Sequence, residues 1–152
     1  MAKDYDMKKP YLILLVLSVF FPAWLGIAHQ GATGIVKQRM DAFKTSQQQL
    51  KSIAAAARAE DFDTIENLAK SLAEWGRKMP EYFPAGSDSA PSEAAPAIWS
   101  DFSGFSRAAE NYTLSAEQLI AASIKGDKEA VLTAIRQVGQ SCKSCHATYR
   151  LE

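Results

Sequence analysis

The chain has 152 residues, and its 17 Lys and Arg are balanced by 17 Asp and Glu. That length suits one domain, and with no basic excess a nucleic-acid partner is not expected. Hydrophobic residues at 47% against 22% charged exclude a disordered chain, and two cysteines cannot build a disulfide framework.

In chain order, the first feature is a targeting segment. Lys8 and Lys9 precede an apolar run from Tyr11 to Phe21, which resumes after Pro22 and continues to Ala28. A basic start, an apolar core and small residues at Gly26 and Ala28 fit a secretory signal cut after Ala28. The alternative is an uncleaved membrane anchor. Tyr11 to Ala28 is 18 residues, at the lower limit for a bilayer span, and Trp24 and Leu25 are bulky for a cleavage region. Either way the positive flank stays inside, so residues 29–152 lie outside the cytoplasm. Cleavage gives a soluble periplasmic protein, which is the expectation. Retention gives one anchored in the inner membrane and facing the periplasm. The expected division is 1–28 for export or anchoring and 29–152 for the functional domain.

The exported part predicts four helices. The first runs from about Ile35 to Ala59, where Val36, Met40, Phe43, Gln47, Leu50, Ala54 and Ala57 recur at steps of four and three. The second starts near Asp63, with Glu66 as its capping-box partner, carries Ile65, Leu68, Leu72, Trp75 and Met79, and ends at Pro80. Four of the six prolines then fall in residues 80–97, a loop rich in Ser, Ala and Gly. The third helix covers Ile98 to Lys125, with Gly104 as its weak point. Gly126 is its stop and Asp127 the next N-cap. The fourth runs to about Arg150. No stretch alternates with period two for long enough to make a strand. Two short connections and one longer one arrange these helices as an all-α antiparallel four-helix bundle.

The chemistry sits in the last helix. Val131, Ile135, Val138, Cys142, Cys145 and Tyr149 form one stripe, so both cysteines face the interior. His146 completes Cys142-Lys143-Ser144-Cys145-His146, the attachment pattern of a c-type haem. Cysteines three apart lie on one side of a helical turn and can each form a thioether to one haem vinyl group. The adjacent imidazole then reaches the iron from one face. Such attachment follows export, so the two signals agree independently. A structural zinc site lacks a fourth ligand here. A thioredoxin-like pair belongs beside a βαβ unit. A Cys142–Cys145 disulfide would close a tiny loop and stabilise little.

Three stretches resemble the class II c-type cytochromes, the cytochrome c′ family. They are VGQSCKSCHATYR at 138–150, FPAGSDSA with APAIWSDFSGF between Phe83 and Phe105, and VKQRMDAF at 36–43. The resemblance spans residues 35–150 and implies a four-helix bundle with one haem c joined through Cys142 and Cys145 and His146 as the iron ligand. It places the residue four after the helix-one arginine, Phe43 after Arg39, opposite the histidine. A methionine there implies six-coordinate iron suited to electron transfer, and an apolar residue implies five-coordinate iron. Phe43 has no lone pair to offer, so it points to the second type. An apolar pocket admits NO or CO and disfavours polar ligands, and bulky Phe43 slows their entry. Met40, one turn earlier, fills the core; the family often has glutamine there, and Met40 is a sixth ligand only if the register shifts.

The resemblance further implies that Arg39 pairs with a haem propionate, which guanidinium geometry suits, the alternative being a surface charge. Arg150 is expected near His146, where it tunes the iron's histidine by charge and hydrogen bonding, the alternative being a solvated C-terminal arginine. Trp75, Trp99, Phe83 and Tyr149 are core or haem-wall residues. Asn111-Tyr112-Thr113 is a chance glycosylation pattern inside a helix. No enzyme constellation is present, because His29 and His146 are the only histidines and His29 reads as a linker residue. Two roles follow: a gas-binding protein for NO or CO, or an electron carrier to a redox partner protein, with a subunit of a larger redox assembly as a weaker third. Membrane contact follows only if the N-terminal helix is retained. The family implies a homodimer through the first two helices, which exposed apolar residues there would support.

Overall fold

The computed structural model describes residues 31–151, so the expected export or anchor segment and His29 lie outside the described residues. The elements are α1 (Gly34–Ala59), α2 (Phe62–Lys78), a 3-10 turn (Met79–Tyr82), the single-turn α3 (Ala97–Ser100), α4 (Phe102–Ile124) and α5 (Lys128–Tyr149). No helix among them is long and apolar enough to cross a membrane. The only β pairing among the described residues is an isolated antiparallel bridge between Ala94 and Arg150.

Local chemistry sets the helix ends. Glu60 takes the left-handed conformation at φ 56°, and Asp61 N–H donates back to Ala56 O at 3.0 Å, which closes α1. The start of α2 differs from the sequence expectation. Asp61, not Asp63, is the N-cap, and its carboxylate accepts from Thr64 N–H at 3.1 Å and from the Thr64 hydroxyl at 2.6 Å. Glu66 is free of any capping duty and pairs with Lys70 one turn on. Beyond Lys78 the chain continues past Pro80 in a 3-10 turn, because proline has no N–H to keep the α ladder.

The expected third helix is broken, and not at Gly104. Asp101 leaves helical geometry at φ −133° and ψ 60°, and its carboxylate accepts from Gly104 N–H at 2.9 Å. Gly104 is what makes that cap possible: a Cβ there would lie 2.0 Å from Asp101 Oδ2 and 2.5 Å from Tyr149 Oη. Gly126 stands at φ 64° with its N–H on Ser123 O, Asp127 N–H returns to Ala122 O, and Asp127 caps Ala130 N–H at 3.0 Å. The stop and start expected at Gly126 and Asp127 are therefore both present.

The two short turns make α1–α2 and α4–α5 antiparallel neighbours. Around the bundle α1 meets α2, α2 meets α4 and α4 meets α5, while α1 meets α5 only sparsely. The α2–α4 seam is the closest approach. Ala69, Ala73 and Gly76 are buried on α2, as are Ala109, Thr113 and Ala116 on α4. A Cβ on Gly76 would lie 2.3 Å from Thr113 Oγ1 and 2.8 Å from Tyr112 Cδ1. Ile53, Ile65, Leu72, Ile98, Phe105, Leu119, Val131 and Val138 fill the centre.

On α1 the buried positions are Val36, Arg39, Ile53, Ala56 and Ala57; Phe43 and Leu50 are half-buried and pack on the core, and Gln47 is exposed. Among the described residues, the exposed large hydrophobic side chains, Phe102, Leu114, Ile124, Leu132 and Leu151, stand on α4, α5 and the C-terminal end. None of these is on α1 or α2, where apolar side chains such as Met40 and Leu50 are half-buried.

Candidate functional site

Cys142 and Cys145 lie one turn apart on α5, half-buried and packed against the core, and both are free thiols. Burial pushes both thiols up, Cys145 to about 11, with a further rise there from Cys142. They are therefore neutral at neutral pH. His146 follows on the more exposed side of the same turn. Burial and then the charge of Arg150 lower its proton affinity, while Glu93 acts in the opposite direction. A neutral imidazole keeps a nitrogen lone pair for a metal.

Phe43 of α1 is the residue that α1 presents to this imidazole, with ring centroids 6.5 Å apart. It sits in an aromatic group. Its ring lies 5.3 Å from Trp75 on α2 and 6.4 Å from Phe83 on the loop, and Trp75 in turn lies 5.1 Å from Tyr82. Phe83 continues to Phe105 at 4.7 Å, and Phe105 to Tyr149 at 5.5 Å. Residues far apart in the chain thus make one wall beside the α5 motif. Met40 is half-buried one turn earlier and is not part of the set packed on the core.

Arg39 decides against its alternative reading. It is not a surface charge: it is 2% exposed. Its Nη1 donates to Tyr82 O at 3.2 Å and Ser87 Oγ at 2.8 Å, and its Nη2 to Ser87 O and Ser92 Oγ. The guanidinium also stacks 4.5 Å over the Phe83 ring. Burial lowers its proton affinity, with Asp88 opposing, yet guanidinium remains charged. Arg39 therefore fastens the 82–92 loop to α1 and holds Phe83 in the wall. A contact of Arg39 with a propionate stays a proposal, for which Nε–H is the donor without a partner among these bonds.

Arg150 is exposed at the end of α5, where its N–H donates to His146 O at 3.2 Å and its guanidinium pairs with Glu93. Its backbone thus stands one turn past the histidine while its side chain reaches solvent, and the Glu93 partner was not legible in the sequence. Trp99 donates to Phe83 O and Pro84 O, both at 3.1 Å, so it braces the loop, and Tyr149 donates to Asp101. Asn111 is exposed on the middle of α4, next to buried Tyr112 and Thr113.

Among the described residues, two buried side-chain polar atoms have no hydrogen-bond partner: Trp75 Nε1 and Tyr112 Oη. An unpaired buried donor costs about 1–3 kcal/mol. Beside Phe43, the indole N–H fits a flat apolar group that brings a hydrogen-bond acceptor of its own. Two thiols on one face of a turn, an adjacent imidazole and an aromatic wall fit the same group. The residues present thus suit a c-type haem. None of these orphan atoms had a sequence signal, since satisfaction depends on the packed neighbours.

Comparisons with known proteins converge on one description. The family model described as Cytochrome C′ matches residues 34–150. A cytochrome c-556 from Agrobacterium tumefaciens is 34% identical over 122 residues, covering 78% of this chain and 98% of that protein. A cytochrome c′ from Rubrivivax gelatinosus is 32% identical, covering 76% and 92%. Among solved structures, the nitric oxide complex of a point variant of cytochrome c′ from Alcaligenes xylosoxidans is similar with a TM-score of 0.70 and 26% identity, covering 78% and 94%.

Proposed function

The chain belongs to the cytochrome c′ family, and on that premise we propose that it is a periplasmic haem protein with five-coordinate iron that binds small diatomic gases. Family membership implies a covalently bound c-type haem with iron. When bound, that haem supplies an iron with a position open to a ligand. In this reading Cys142 and Cys145 carry the two thioethers and His146 is the protein's iron ligand. Trp75 Nε1–H and Arg39 Nε–H are the donors available to propionates.

The observation that carries the proposal is the Phe43–His146 pairing across α1 and α5. The side chain that meets the imidazole from the other helix has no lone pair. It leaves iron one protein ligand and makes the opposite side apolar, which suits NO or CO better than charged ligands. Phe43 is wedged against Trp75 and Phe83, so gas entry requires it to move. The relative from Alcaligenes xylosoxidans is solved as a nitric oxide complex, which supports NO as the gas. Phe43→Ala is expected to speed CO association at least tenfold in stopped-flow mixing. Phe43→Met is expected to give a sharp six-coordinate spectrum. An unchanged rate in the first variant overturns the gate.

A second reading is an electron carrier to a redox partner protein. The similarity to cytochrome c-556 and the position of Met40 one turn before Phe43 favour it, with Met40 as sixth ligand. Export by residues 1–28 belongs to both readings. A homodimer through α1 and α2 would join largely polar surfaces here, because the exposed side chains of α1 include Lys37, Gln38, Asp41, Lys44, Gln48 and Lys51.

A further inference from the structure

The end of α5 is clasped to the long loop. Ala95 N–H donates to Tyr149 O at 3.0 Å and Leu151 N–H to Glu93 O at 2.8 Å, on either side of the Ala94–Arg150 bridge. The clasp fixes both backbones, so two side chains meet without searching for each other. Arg150 Nε and Nη2 both donate to Glu93 Oε2, the former at 2.9 Å. Arg150 in turn begins one turn past His146 and bonds its carbonyl. An unmatched guanidinium at this place would put a full positive charge beside the iron's ligand.

We propose that Glu93 is a positioning and charge-compensating residue for the haem site: it holds the Arg150 guanidinium at the outer edge of α5 and cancels its charge next to His146. The inference rests on the haem reading above, and it concerns the ion pair rather than the ligand. The pair is half exposed, at 51% and 52%, so solvent screens it and its effect is moderate. A charge near a haem acts on its redox equilibrium, because ferric iron carries one more positive charge than ferrous. Removing Glu93 therefore favours the reduced state, and removing Arg150 favours the oxidised state.

The test is an equilibrium redox titration of the haem-loaded protein and of Glu93→Gln, Arg150→Gln and the double variant, at low and high salt. Glu93→Gln keeps the backbone carbonyl that Leu151 uses, so it removes the charge and leaves the clasp. At a fixed solution potential, Glu93→Gln is expected to raise the ferrous-to-ferric ratio about two- to fivefold, the range of an exposed pair. Arg150→Gln is expected to lower it by a similar factor. The double variant returns close to the parent, and every shift shrinks in high salt. Hydrogen exchange at the Leu151 and Ala95 amides stays protected throughout. Unchanged ratios, or a double variant displaced from the parent as far as either single variant, overturn the proposal, as do shifts that appear only with loss of amide protection. Chain that carries no covalent haem overturns the haem reading and this inference together. Haem present with unmoved ratios overturns the inference alone.

Discussion

The two sides of the bundle solve opposite problems. On the α2–α4 side, alanines and Gly76 bring the backbones together until a single added methyl would collide with Thr113 and Tyr112. On the α1–α5 side the helices meet sparsely, and the side chains that meet across it include Phe43 and His146. Small residues build a tight half, and aromatic residues beside the Cys142–His146 motif build the half proposed to hold the haem. The lesson is that a haem-binding bundle needs both: closeness on one seam stabilises the fold while the facing seam stays apart.

The largest effect expected from breaking that division comes at the joint between the α1–α5 half and its loop. Arg39→Leu leaves two carbonyls and two hydroxyls of the loop without their buried cation. The expected loss is about 3 kcal/mol in denaturant unfolding, together with disorder of Phe83 seen as lost near-ultraviolet signal. Arg39→Lys cannot restore it, since ammonium lacks the planar fork.

Tyr112 joins the two halves and gives the next effect. Burial pushes its phenol up to about 12, with nearby Ser46 opposing. The folded value lies above the unfolded one, so the stability it contributes is fully present below about pH 10 and is lost as pH rises towards 12. At pH 11 the expected loss is on the order of 1 kcal/mol. Tyr112→Phe is expected to remove that share of the alkaline decline and to leave stability at pH 7 equal or higher, because the hydroxyl has no partner there. A drop at pH 7 contradicts this.

One substitution made on both sides sharpens the comparison. Gly76→Ala overpacks the tight seam by about 2 kcal/mol and regains about 1 in helix propensity, for a net loss of about 1 kcal/mol. Gly139→Ala on α5, one turn before Cys142, meets nothing within 4 Å and is expected to stabilise by about 0.5 kcal/mol. Thermal unfolding of the two variants reads the opposite signs. Equal signs would mean that the two halves do not differ in packing.

What the sequence showed and what it hid follow from the range of the interactions. The Gly126–Asp127 junction was legible because each residue acts on backbone groups within five positions of itself. The α5 motif was legible for the same reason: five adjacent residues carry its chemistry. The break at Asp101 was hidden, since it competes with a helix pattern that the apolar spacing of Ile98, Phe102 and Phe105 supports. The choice of Asp61 over Asp63 depended on Thr64, which offers its N–H and its hydroxyl to the earlier carboxylate. Arg39 was named for its place in a segment, but its partners lie 43 to 53 residues away, beyond any local pattern. Glu93 was missed for the same reason.

The most direct test of the account is the visible absorption spectrum of the protein made with its haem-attachment machinery, recorded oxidised, reduced and reduced under CO. The account predicts a broad high-spin spectrum that shifts on CO, in a chain whose haem survives denaturing extraction. Sharp low-spin bands indifferent to CO would contradict it, placing a sixth ligand such as Met40 where Phe43 is proposed to stand.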